Sequence, residues 1–569
     1  MARIKYKQLD QLSYEDIVVY NSLPPDPFWT KVSETVDFSF ADELCAPLYS
    51  TQGQHPYAPS LKLKVHLLQR YYGYADREIE HATIFDISVK RFLGLPIAHK
   101  GLDHSTISLD RERLGGDLFE ACHQHILAQA LDRKLWGQTE SRWLIDSFHT
   151  HANVAKAGAH RLIQQAVIRI VNYLKGTFPK LHNRLLLEVE LQAANKRLSH
   201  KTPEDKQVLS FSRLVVEAYS LLYWMESESV APLFWAWENK KRQLKCLELQ
   251  AILIQILREN TRPTTSSLPE PTGRPAEKSQ KEHEQLEIQY VKIPRKERPA
   301  NRIESAFDPE VRTGHKSVNL PFRGEKVQLL EEANSGLLLA AKVIPGNELD
   351  GWAMAAMVKS VRERFGISPT EVVADSAYGY GPQRQEMAEA KVALSAPVTN
   401  RARENGLFSA DQFTIDPQKK NAICPAGHST VRRTRNNKEN GVQIFFDEKI
   451  CHSCPSRRDC TTSKSGRSLF ISDYYELLQQ AKAYNATEAG KAAQGERYKI
   501  ERSNNELKNH HKLSRARTRG RARFRIDVLV GVMVVNLKRI VKTCGGWNSS
   551  ALRRYPPRQA PVCPKPALG

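Results

Sequence analysis

The chain has 569 residues, of which 41% are hydrophobic, and its 84 Lys or Arg residues outnumber 63 Asp or Glu residues to give a net charge of +21. This length predicts about three or four domains, each with a buried core. The excess of positive charge predicts a polyanionic partner and favours nucleic acid over an anionic membrane surface. No early segment has the pattern of a secretory signal, and the longest apolar stretch, residues 526–541, contains four polar or charged residues. We therefore expect no membrane span and a cytoplasmic protein.

Residues 1–135 are predicted to be helical, because apolar residues recur there at three- and four-residue spacing with little clustering of β-branched residues. Several short helices joined by tight turns are the commonest DNA-docking scaffold. The same pattern fits a dimerisation domain or a purely packing domain equally well. We expect a helical domain that binds DNA or mediates dimerisation.

Two short apolar runs each end in an aspartate. RWLID (142–146) and EVVAD (371–375) have the composition of buried strands that deliver a polar residue at their C-terminal edge. Between them, KVQLLEEA and GLLLAAKVI predict a hairpin, and DGWAMAAMVKSVRERFG (350–366) predicts a helix with Asp350 as its N-cap. A final helix that carries Glu501 completes an α/β domain, in which Asp146 and Asp375 are predicted to lie side by side.

The remaining segments differ in composition. Residues 155–258 have helical periodicity, and residues 259–301 are rich in proline, serine and charged residues, which is typical of a mobile linker. The predicted organisation is a helical N-terminal domain (1–135), the α/β core in three pieces (136–154, 302–401 and 471–545), a helical insertion (155–258), a linker (259–301), a Cys-rich insertion (402–470) and a tail (546–569).

The segment ERYKIERSNNELKNHHK (496–512) holds three glutamates among many cations. On a helix, Arg497, Glu501 and Lys508 project from one face, while Glu496 and Glu506 point roughly 140° away. Glu501 alone is flanked by two cations on its own face. A ladder of ion pairs on a solvated helix would give the same pattern.

Three carboxylates that converge on one point repel each other and require a cation. Oxygen ligands suit Mg²⁺ or Mn²⁺ best. Two such ions about 4 Å apart can activate water on one side of a phosphodiester and stabilise the leaving oxygen on the other. Any one aspartate at a strand end is more often a turn or cap residue, so the hypothesis depends on all three carboxylates in this order.

Four of the nine cysteines are crowded between residues 424 and 460. They are Cys424, Cys451, Cys454 and Cys460. Their spacing, which includes a C-x2-C knuckle, predicts a closed tetrahedral zinc site with a structural role. His428 or His452 could replace one cysteine as a ligand, and reduced surface thiols are the alternative.

A strongly basic segment follows Glu501. From Lys508 to Arg525, eight residues are Lys or Arg and none is Asp or Glu. Arginines at alternate positions would scatter around a helix axis, whereas an extended arm can follow a phosphate backbone. We expect a loop here, with an apolar helix from Ile526 that packs on the sheet. The predicted DNA contacts in this segment are Lys512, Arg515, Arg517 and Arg519.

Three blocks of the sequence carry a family resemblance. RWLIDSFHTHANVAK, VVADSAYGYGPQRQEM and ERYKIERSNNELKNHHKLSRARTRG resemble the three blocks of bacterial insertion-sequence transposases with a DDE catalytic triad on a ribonuclease H-like fold. The last block matches the family pattern Y-x2-R-x3-E-x6-K at Arg497, Glu501 and Lys508, with Gln494 at the tyrosine position. Residues 40–95 and the stretch DHSTIS resemble the opening domain of that family.

The resemblance implies that Asp146, Asp375 and Glu501 hold two Mg²⁺ or Mn²⁺ ions, and that Arg497 and Lys508 bind DNA phosphates beside the scissile bond. It implies an α/β ribonuclease H-like core, interrupted by the helical and the Cys-rich zinc-binding insertions and preceded by the all-α N-terminal domain.

The activity that the resemblance implies is DNA transposition. The enzyme would bind the terminal inverted repeats of its element, cleave the DNA and transfer the strand to target DNA, as a homodimer on the bacterial nucleoid. Two alternatives fit the residues: a zinc-containing DNA-binding regulator with structural carboxylates, and a nuclease that hydrolyses DNA without joining it.

Overall fold

The structure, a computed structural model, describes residues 4–545 except positions 8, 10, 25, 51, 197 and 318 and the segments 138–140, 199–200, 237–238, 265–288 and 399–405. The predicted tail (546–569) and the middle of the predicted linker therefore lie outside the described residues. Among the residues that are described, no helix is long and apolar enough to cross a membrane.

The N-terminal region is helical. Its helices are α1 (Tyr14–Ser22), α2 (Pro27–Thr35), α3 (Phe40–Cys45), α4 (Pro59–Tyr72), α5 (Asp76–Phe85), α6 (Ile87–Leu93) and α7 (His104–Asp132). Asp103 caps α7 by accepting hydrogen bonds from the backbone N–H groups of Ser105 and Thr106. The helix is interrupted at Gly115, whose φ of 67° is a left-handed conformation that glycine adopts without strain.

The helical insertion follows the first core strand, β1 (Trp143–His149). Its helices are α8 (Ala159–Thr177), α9 (Pro179–Glu188), α10 (Gln192–Asn195), α11 (Glu204–Glu226), α12 (Ala231–Trp235) and α13 (Lys240–Asn260). Two short strands, β2 (Thr261–Pro263) and β3 (Tyr290–Lys292), pair with each other, and β3 packs on α11.

The predicted linker (259–301) is therefore structured at both of its ends. Asn260 and Thr261 are buried, and their side chains donate hydrogen bonds to the carbonyls of Ile256 and Leu257. Polar composition suggested exposure, but local hydrogen bonds satisfy these groups and allow them to be buried.

The core continues with strands and two helices. They are β4 (Arg312–Ser317), β5 (Leu320–Glu332), β6 (Leu338–Pro345), α14 (Met354–Phe365), β7 (Glu371–Val373), α15 (Gly381–Glu389) and β8 (Ala393–Ser395). The predicted hairpin is β5–β6. The predicted helix ends at Gly366 in a left-handed conformation, but it begins at Met354 rather than after Asp350, because residues Asp350–Ala353 form a 3₁₀ turn. Asp350 is not an N-cap, because its carboxylate instead contacts Ser147 of β1 and Lys326 of β5.

The Cys-rich segment forms a small unit of its own. Its elements are β9 (Thr414–Asp416), β10 (Asn421–Ile423), β11 (Thr430–Asn436), β12 (Gly441–Phe446), α16 (Glu448–Ser453), α17 (Arg457–Cys460) and β13 (Ser468–Ser472). Strands β11, β12 and β13 form an antiparallel sheet over a core that includes Ile444, Phe446 and Ile471.

The last part of the chain is helical. It comprises α18 (Tyr475–Ala486), α19 (Glu488–Gly495), α20 (Tyr498–Asn505), a π-helical turn (Glu506–His510) and α21 (Arg521–Gly545). The predicted loop is thus limited to residues 511–520, and the predicted helix begins at Arg521, five residues before Ile526. Arg521, Arg523 and Arg525 do project in different directions, as expected for a helix, but acidic side chains from other elements pair with each of them and stabilise the helix start.

The central sheet has the order β6-β5-β1-β7-β8, and β4 pairs with the start of β5. Strand β1 is antiparallel to β5 and parallel to β7. It runs three residues past Asp146, because Phe148 and His149 pair with Val327 and Lys326 of the long strand β5. Asp146 therefore lies within a strand rather than at the predicted strand end.

The two helical regions pack differently. The N-terminal helices share one hydrophobic core with the sheet, in which Leu67 and Ile126 lie with Ile145, Val372 and, from α21, Val534. The helical insertion has a separate core, which includes Leu174, Leu221 and Leu253. The predicted domain 1–135 consequently shares its hydrophobic core with the central sheet, whereas the insertion is a distinct packing unit.

Candidate active site

Asp146 and Asp375 are neighbours across two parallel strands. Leu144 of β1 is opposite Val373, the last residue of β7; Asp146 lies two residues further along β1, and Asp375 lies two residues beyond the end of β7. Asp375 begins the 3₁₀ turn that follows β7, and its Oδ1 accepts a hydrogen bond from the Ala377 N–H at 2.8 Å. Parallel pairing thus brings the two predicted aspartates to the same place in the sheet.

The environment of both aspartates disfavours their charged forms. Burial raises the pKa of Asp146 to about 6, and the charges of Asp375 and Glu501 act in the same direction. Burial is also the main cause that raises the pKa of Asp375, while the Arg497 guanidinium opposes the rise at both groups. Two half-buried carboxylates with one cation nearby favour the binding of a further cation.

Glu501 projects from α20 on the side of these aspartates. The helix packs on β1 and β5 through Ile500, Ser503 and Leu507, which are fully buried. The Glu501 side chain is 56% exposed, and in the described part of the chain its ion-pair partner is Arg497 at 3.5 Å. The helix is therefore fixed by its apolar face, while its carboxylate is accessible from solvent.

The other two glutamates of this segment are paired. Glu496 contacts Arg142 and Lys499, each at 2.7 Å. Glu506 contacts Lys538 at 2.9 Å and lies 3.7 Å from His511. Burial alone would raise the pKa of both glutamates, but hydrogen bonds and charges from these partners outweigh it and lower the pKa. Both carboxylates thus connect parts of the scaffold.

Lys508 does not contact Glu501. It lies in the π-helical turn, whose hydrogen bonds span five residues instead of four, so a spacing of seven residues no longer places Lys508 on the face of Glu501. Its pKa is lowered by burial and by the charge of Lys316, and its charge in turn lowers the pKa of His149. Lys508 therefore lies near the end of β1.

The basic loop, residues 511–520, runs alongside the chain that leaves β1. The N–H of His151 donates to Ser514, and the N–H of Ala516 donates to His151. Four exposed cations of this loop have no carboxylate partner within the described residues: Lys512, Arg515, Arg517 and Arg519. Arg517 and Arg519 donate only to neutral carbonyl groups, so their charges are not compensated.

The three arginines that follow this loop are in a different situation. They lie in the first turns of α21 and pair with acidic side chains: Arg521 with Glu325, Arg523 with Glu112, and Arg525 with Asp117 and Glu120. Most of these acids belong to α7. The structure thus divides one basic segment into a loop of uncompensated charge and a helix end bound to the N-terminal helices.

Asp350 is a fourth carboxylate near the site, although its sequence position predicted only a helix cap. Its carboxylate accepts a hydrogen bond from Ser147 at 2.8 Å and pairs with Lys326 at 3.2 Å. Its charge contributes to the raised pKa of Asp375. The position at a helix start predicted a cap, and only the packing of this turn against β1 and β5 reveals the fourth carboxylate.

The oxygen atoms of the triad do not converge tightly. Over the residues that the structure describes, the one group of three His, Cys, Asp or Glu residues with ligand atoms within 4.8 Å of each other is Glu80, Asp103 and His104. The triad nevertheless fits a divalent ion, because all its donors are carboxylate oxygens and the single Arg497 guanidinium does not prevent the rise in the pKa of its two half-buried members. The buried Oδ1 of Asn504 beside Asp146 also has no hydrogen-bond partner.

Two parts of the chain match known families. Residues 17–113 match a family described as Transposase domain (DUF772), and residues 423–541 match the Transposase DDE domain family. These two matches support an insertion-sequence DDE transposase. No curated protein and no solved structure matches it significantly.

The transposase is thus an enzyme of the polynucleotidyl-transferase type that acts on DNA, with a ribonuclease H-like catalytic fold. Enzymes of this family use divalent metal ions, generally Mg²⁺. The DDE match contains the helix of Glu501, most of α21 and the four clustered cysteines, whereas Asp146 and Asp375 lie outside both matched regions. Their assignment depends on the sheet geometry.

In the transposase, one small cavity of about 30 Å³ is surrounded by the four clustered cysteines, Cys424, Cys451, Cys454 and Cys460. All four are free thiols. Burial raises the pKa of Cys460, and the charges of the other three contribute. His428 also lines the cavity, and its N–H lies 3.3 Å from the Cys424 Sγ. Among the described residues, no three of these ligand atoms lie within 4.8 Å of one another. The structure groups the predicted ligands without closing a tetrahedral site.

Proposed function

We propose that this transposase binds the terminal inverted repeats of its own insertion sequence, cleaves a strand at each end, and joins the freed 3′-hydroxyl to target DNA. The observation that most supports the proposal is the parallel pairing of β1 with β7, which places Asp146 of β1 near Asp375, two residues beyond the end of β7. The charges of Asp375 and Glu501 both act on the pKa of Asp146. Because Glu501 is exposed, a phosphodiester can approach these carboxylates from solvent.

Asp146, Asp375 and Glu501 would hold two Mg²⁺ or Mn²⁺ ions. When bound, the ions would supply activation of the attacking oxygen and stabilisation of the leaving oxygen. The protein itself contributes the burial of both aspartates, which strengthens electrostatic interactions by excluding water. The Arg497 guanidinium lies near both aspartates and in contact with Glu501, where it can bind a phosphate oxygen of the cleaved strand.

The DNA duplex would extend from this centre along the basic loop. The loop follows the end of β1, five residues beyond Asp146, and presents Lys512, Arg515, Arg517 and Arg519 without acidic partners. Lys508, near the same end of β1, would bind a phosphate rather than pair with Glu501. Uncompensated cations on an exposed loop gain affinity for DNA by releasing counterions from its backbone.

The Cys-rich unit would hold a structural zinc ion through Cys424, Cys451, Cys454 and Cys460, with His428 as an alternative ligand. This proposal rests on the common cavity that these side chains line. Zinc would supply stability that the small core of this unit does not provide alone.

A homodimer would bring the two ends of the element together on the bacterial nucleoid in the cytoplasm. The reaction pairs two element ends, and one active site per end is the simplest arrangement. A two-fold pairing of identical protomers provides this.

The experiment combines the purified protein with a labelled duplex that carries the end of its element and with a supercoiled target, in Mg²⁺ or in EDTA. We expect Mg²⁺-dependent nicking and joined product from the wild type and neither from Asp146→Asn. Nicking without joined product would favour a nuclease that only hydrolyses. DNA binding without nicking in Mg²⁺ would contradict the proposal.

A further inference from the structure

Two amide side chains, neither of them part of the proposed triad, connect the Glu501 segment to the sheet. Gln494 is near the end of α19, seven residues before Glu501, and Asn504 is on α20, three residues after it. Gln494 occupies the position at which the family pattern has tyrosine. Each amide binds next to a different one of the two aspartates.

Gln494 connects α19 to the strand ends beside Asp375. Its Nε2 lies 3.0 Å from the Ser395 carbonyl oxygen, 3.2 Å from the Ser395 Oγ and 3.3 Å from the Ala374 carbonyl oxygen. Ala374 directly precedes Asp375, and Ser395 is the last residue of β8 and is fully buried. One amide group thereby holds the ends of β7 and β8 against the helix segment.

Asn504 connects α20 to Asp146 itself. Its Nδ2 donates a hydrogen bond to the Asp146 Oδ2 at 2.8 Å. The Asn504 side chain is 7% exposed, and its Oδ1 is buried without a partner. The bond occupies one oxygen of the carboxylate and fixes its rotation, so that the other oxygen remains available to a cation.

The chemistry of an amide suits both positions. A lysine or arginine at either place would neutralise a carboxylate and compete with a metal ion, while an aspartate or glutamate would add repulsion. An amide supplies N–H donors without net charge. The apolar anchors Ala493, Ile500 and Leu507 would still attach the helices to the sheet if the amides were lost.

We propose that Gln494 and Asn504 are positioning residues that set the distances from Glu501 to Asp375 and to Asp146. The inference rests on the proposed triad and extends it. Its consequence is that metal affinity depends on these amides although neither is expected to be a ligand. Loss of either amide leaves the helix attached but lets Glu501 and the aspartates drift apart.

The test uses full-length Gln494→Met and Asn504→Leu, which preserve side-chain size and remove the donor. Mn²⁺ binding is measured by electron paramagnetic resonance, and single-turnover nicking is measured over a range of Mg²⁺ concentrations. We expect half-saturating Mn²⁺ and Mg²⁺ concentrations to rise at least about tenfold in Asn504→Leu and at least about threefold in Gln494→Met. Asn505→Ala, on the exposed side of α20, is the matched control and should behave as wild type.

The outcomes separate this inference from the proposed function. Unchanged Mn²⁺ affinity with a lower melting temperature would show a merely structural role and overturn the inference. Mn²⁺ binding that is lost in Asp146→Asn and weakened in both amide variants would uphold it, even if the wild type failed to nick DNA and the proposed function fell. If the wild type bound no Mn²⁺, the inference and the proposed function would both be overturned.

Discussion

Residues 494–525 contain two neighbouring groups of charged side chains that differ in their exposure and in their ion-pair partners. Glu501 and the four cations of the basic loop are exposed, and within the described residues the loop cations have no carboxylate partner. Glu496, Glu506 and the arginines of the α21 start are bound to side chains of other elements. Composition is similar across the segment, but the partners of each charge differ.

This difference separates two uses of charge. A paired charge at the junction of several elements contributes to the fold, because removal of one partner leaves the other desolvated. An unpaired charge beside a buried carboxylate site contributes little to folding and is available to a ligand. The proposed active site and the scaffold can thus be told apart within 32 residues by their partners.

The largest effect is expected at Glu501. Glu501→Gln should reduce single-turnover strand nicking by on the order of 10³-fold, because a carboxylate of the triad is replaced by a neutral group. Its melting temperature should equal that of the wild type, since the side chain is exposed. Gel assays with a labelled element end measure the first, and thermal denaturation measures the second.

The matched controls are the neighbouring glutamates. Glu506→Gln should lower the melting temperature because it removes the partner of Lys538, while the folded fraction nicks DNA normally. Glu496→Gln should show the same pattern through Arg142. Equal loss of nicking in all three variants would remove the distinction between the exposed carboxylate of Glu501 and the two carboxylates bound to other elements.

The Cys-rich unit extends the comparison to thiols that share a cavity. Protein purified without chelator should contain about one zinc ion per chain by elemental analysis, and Cys454→Ser should contain much less. Removal of zinc with a chelator should lower the melting temperature, since the metal contributes folding free energy. Cys544→Ser, an exposed cysteine outside the cavity, should keep its zinc. Zinc-free wild-type protein of unchanged stability would refute the site.

A smaller effect is expected in the basic segment. Arg515→Ala should weaken binding to a DNA duplex and reduce the slope of log affinity against log salt by about one, which corresponds to one phosphate contact. Arg523→Ala, which removes a cation paired with Glu112, should leave the salt slope unchanged. Fluorescence anisotropy titrations at several salt concentrations measure both. Identical slopes for the two variants would assign the loop no DNA contact.

The smallest effect is expected in the pH dependence of stability, through the buried side chain of His123. Burial lowers the pKa of His123, on α7, to about 4, and the groups that face its ring are the Leu338 carbonyl and the Asn536 amide. Because the pKa in the folded state lies below its usual value of about 6.5, stability should be complete above that pH and should be lost as the pH falls towards 4. The loss should not exceed about 3 kcal/mol.

Urea unfolding at pH 7.5 and pH 5 measures this dependence. In His123→Gln the difference in stability between the two pH values should be smaller than in the wild type. An identical pH dependence in the two proteins would place the acid sensitivity at other groups.

The hydrophobic periods of the sequence predicted the β5–β6 hairpin, the helix that ends at Gly366 and the helical character of the N-terminal and inserted regions. They predicted the first and last residues of the strands and helices less accurately. The sequence suggested that β1 stops at Asp146 and that the last helix starts at Ile526, but pairing with β5 lengthens the strand and acidic partners on α7 extend the helix. Two apolar runs that each end in an aspartate led to the prediction that Asp146 and Asp375 are neighbours. The role of Asp350 was not predicted, because an aspartate before a helix has the same sequence pattern whether it caps the helix or contacts a neighbouring strand.

The sequence by itself determined the positive charge, the alternation of strands and helices and the grouping of the cysteines, and it indicated the residues proposed for the triad, because each depends on composition or on spacing along the chain. Only the tertiary structure decided which charges are paired, why Lys508 leaves the face of Glu501, and that Gln494 and Asn504 bind beside the two aspartates. The hydrogen bonds of Gln494 and Asn504 join residues that lie 99 to 358 positions apart in the chain. The strength of these contacts depends on the burial of the groups and on their relative positions, and both are set only when the sheet and the helices pack.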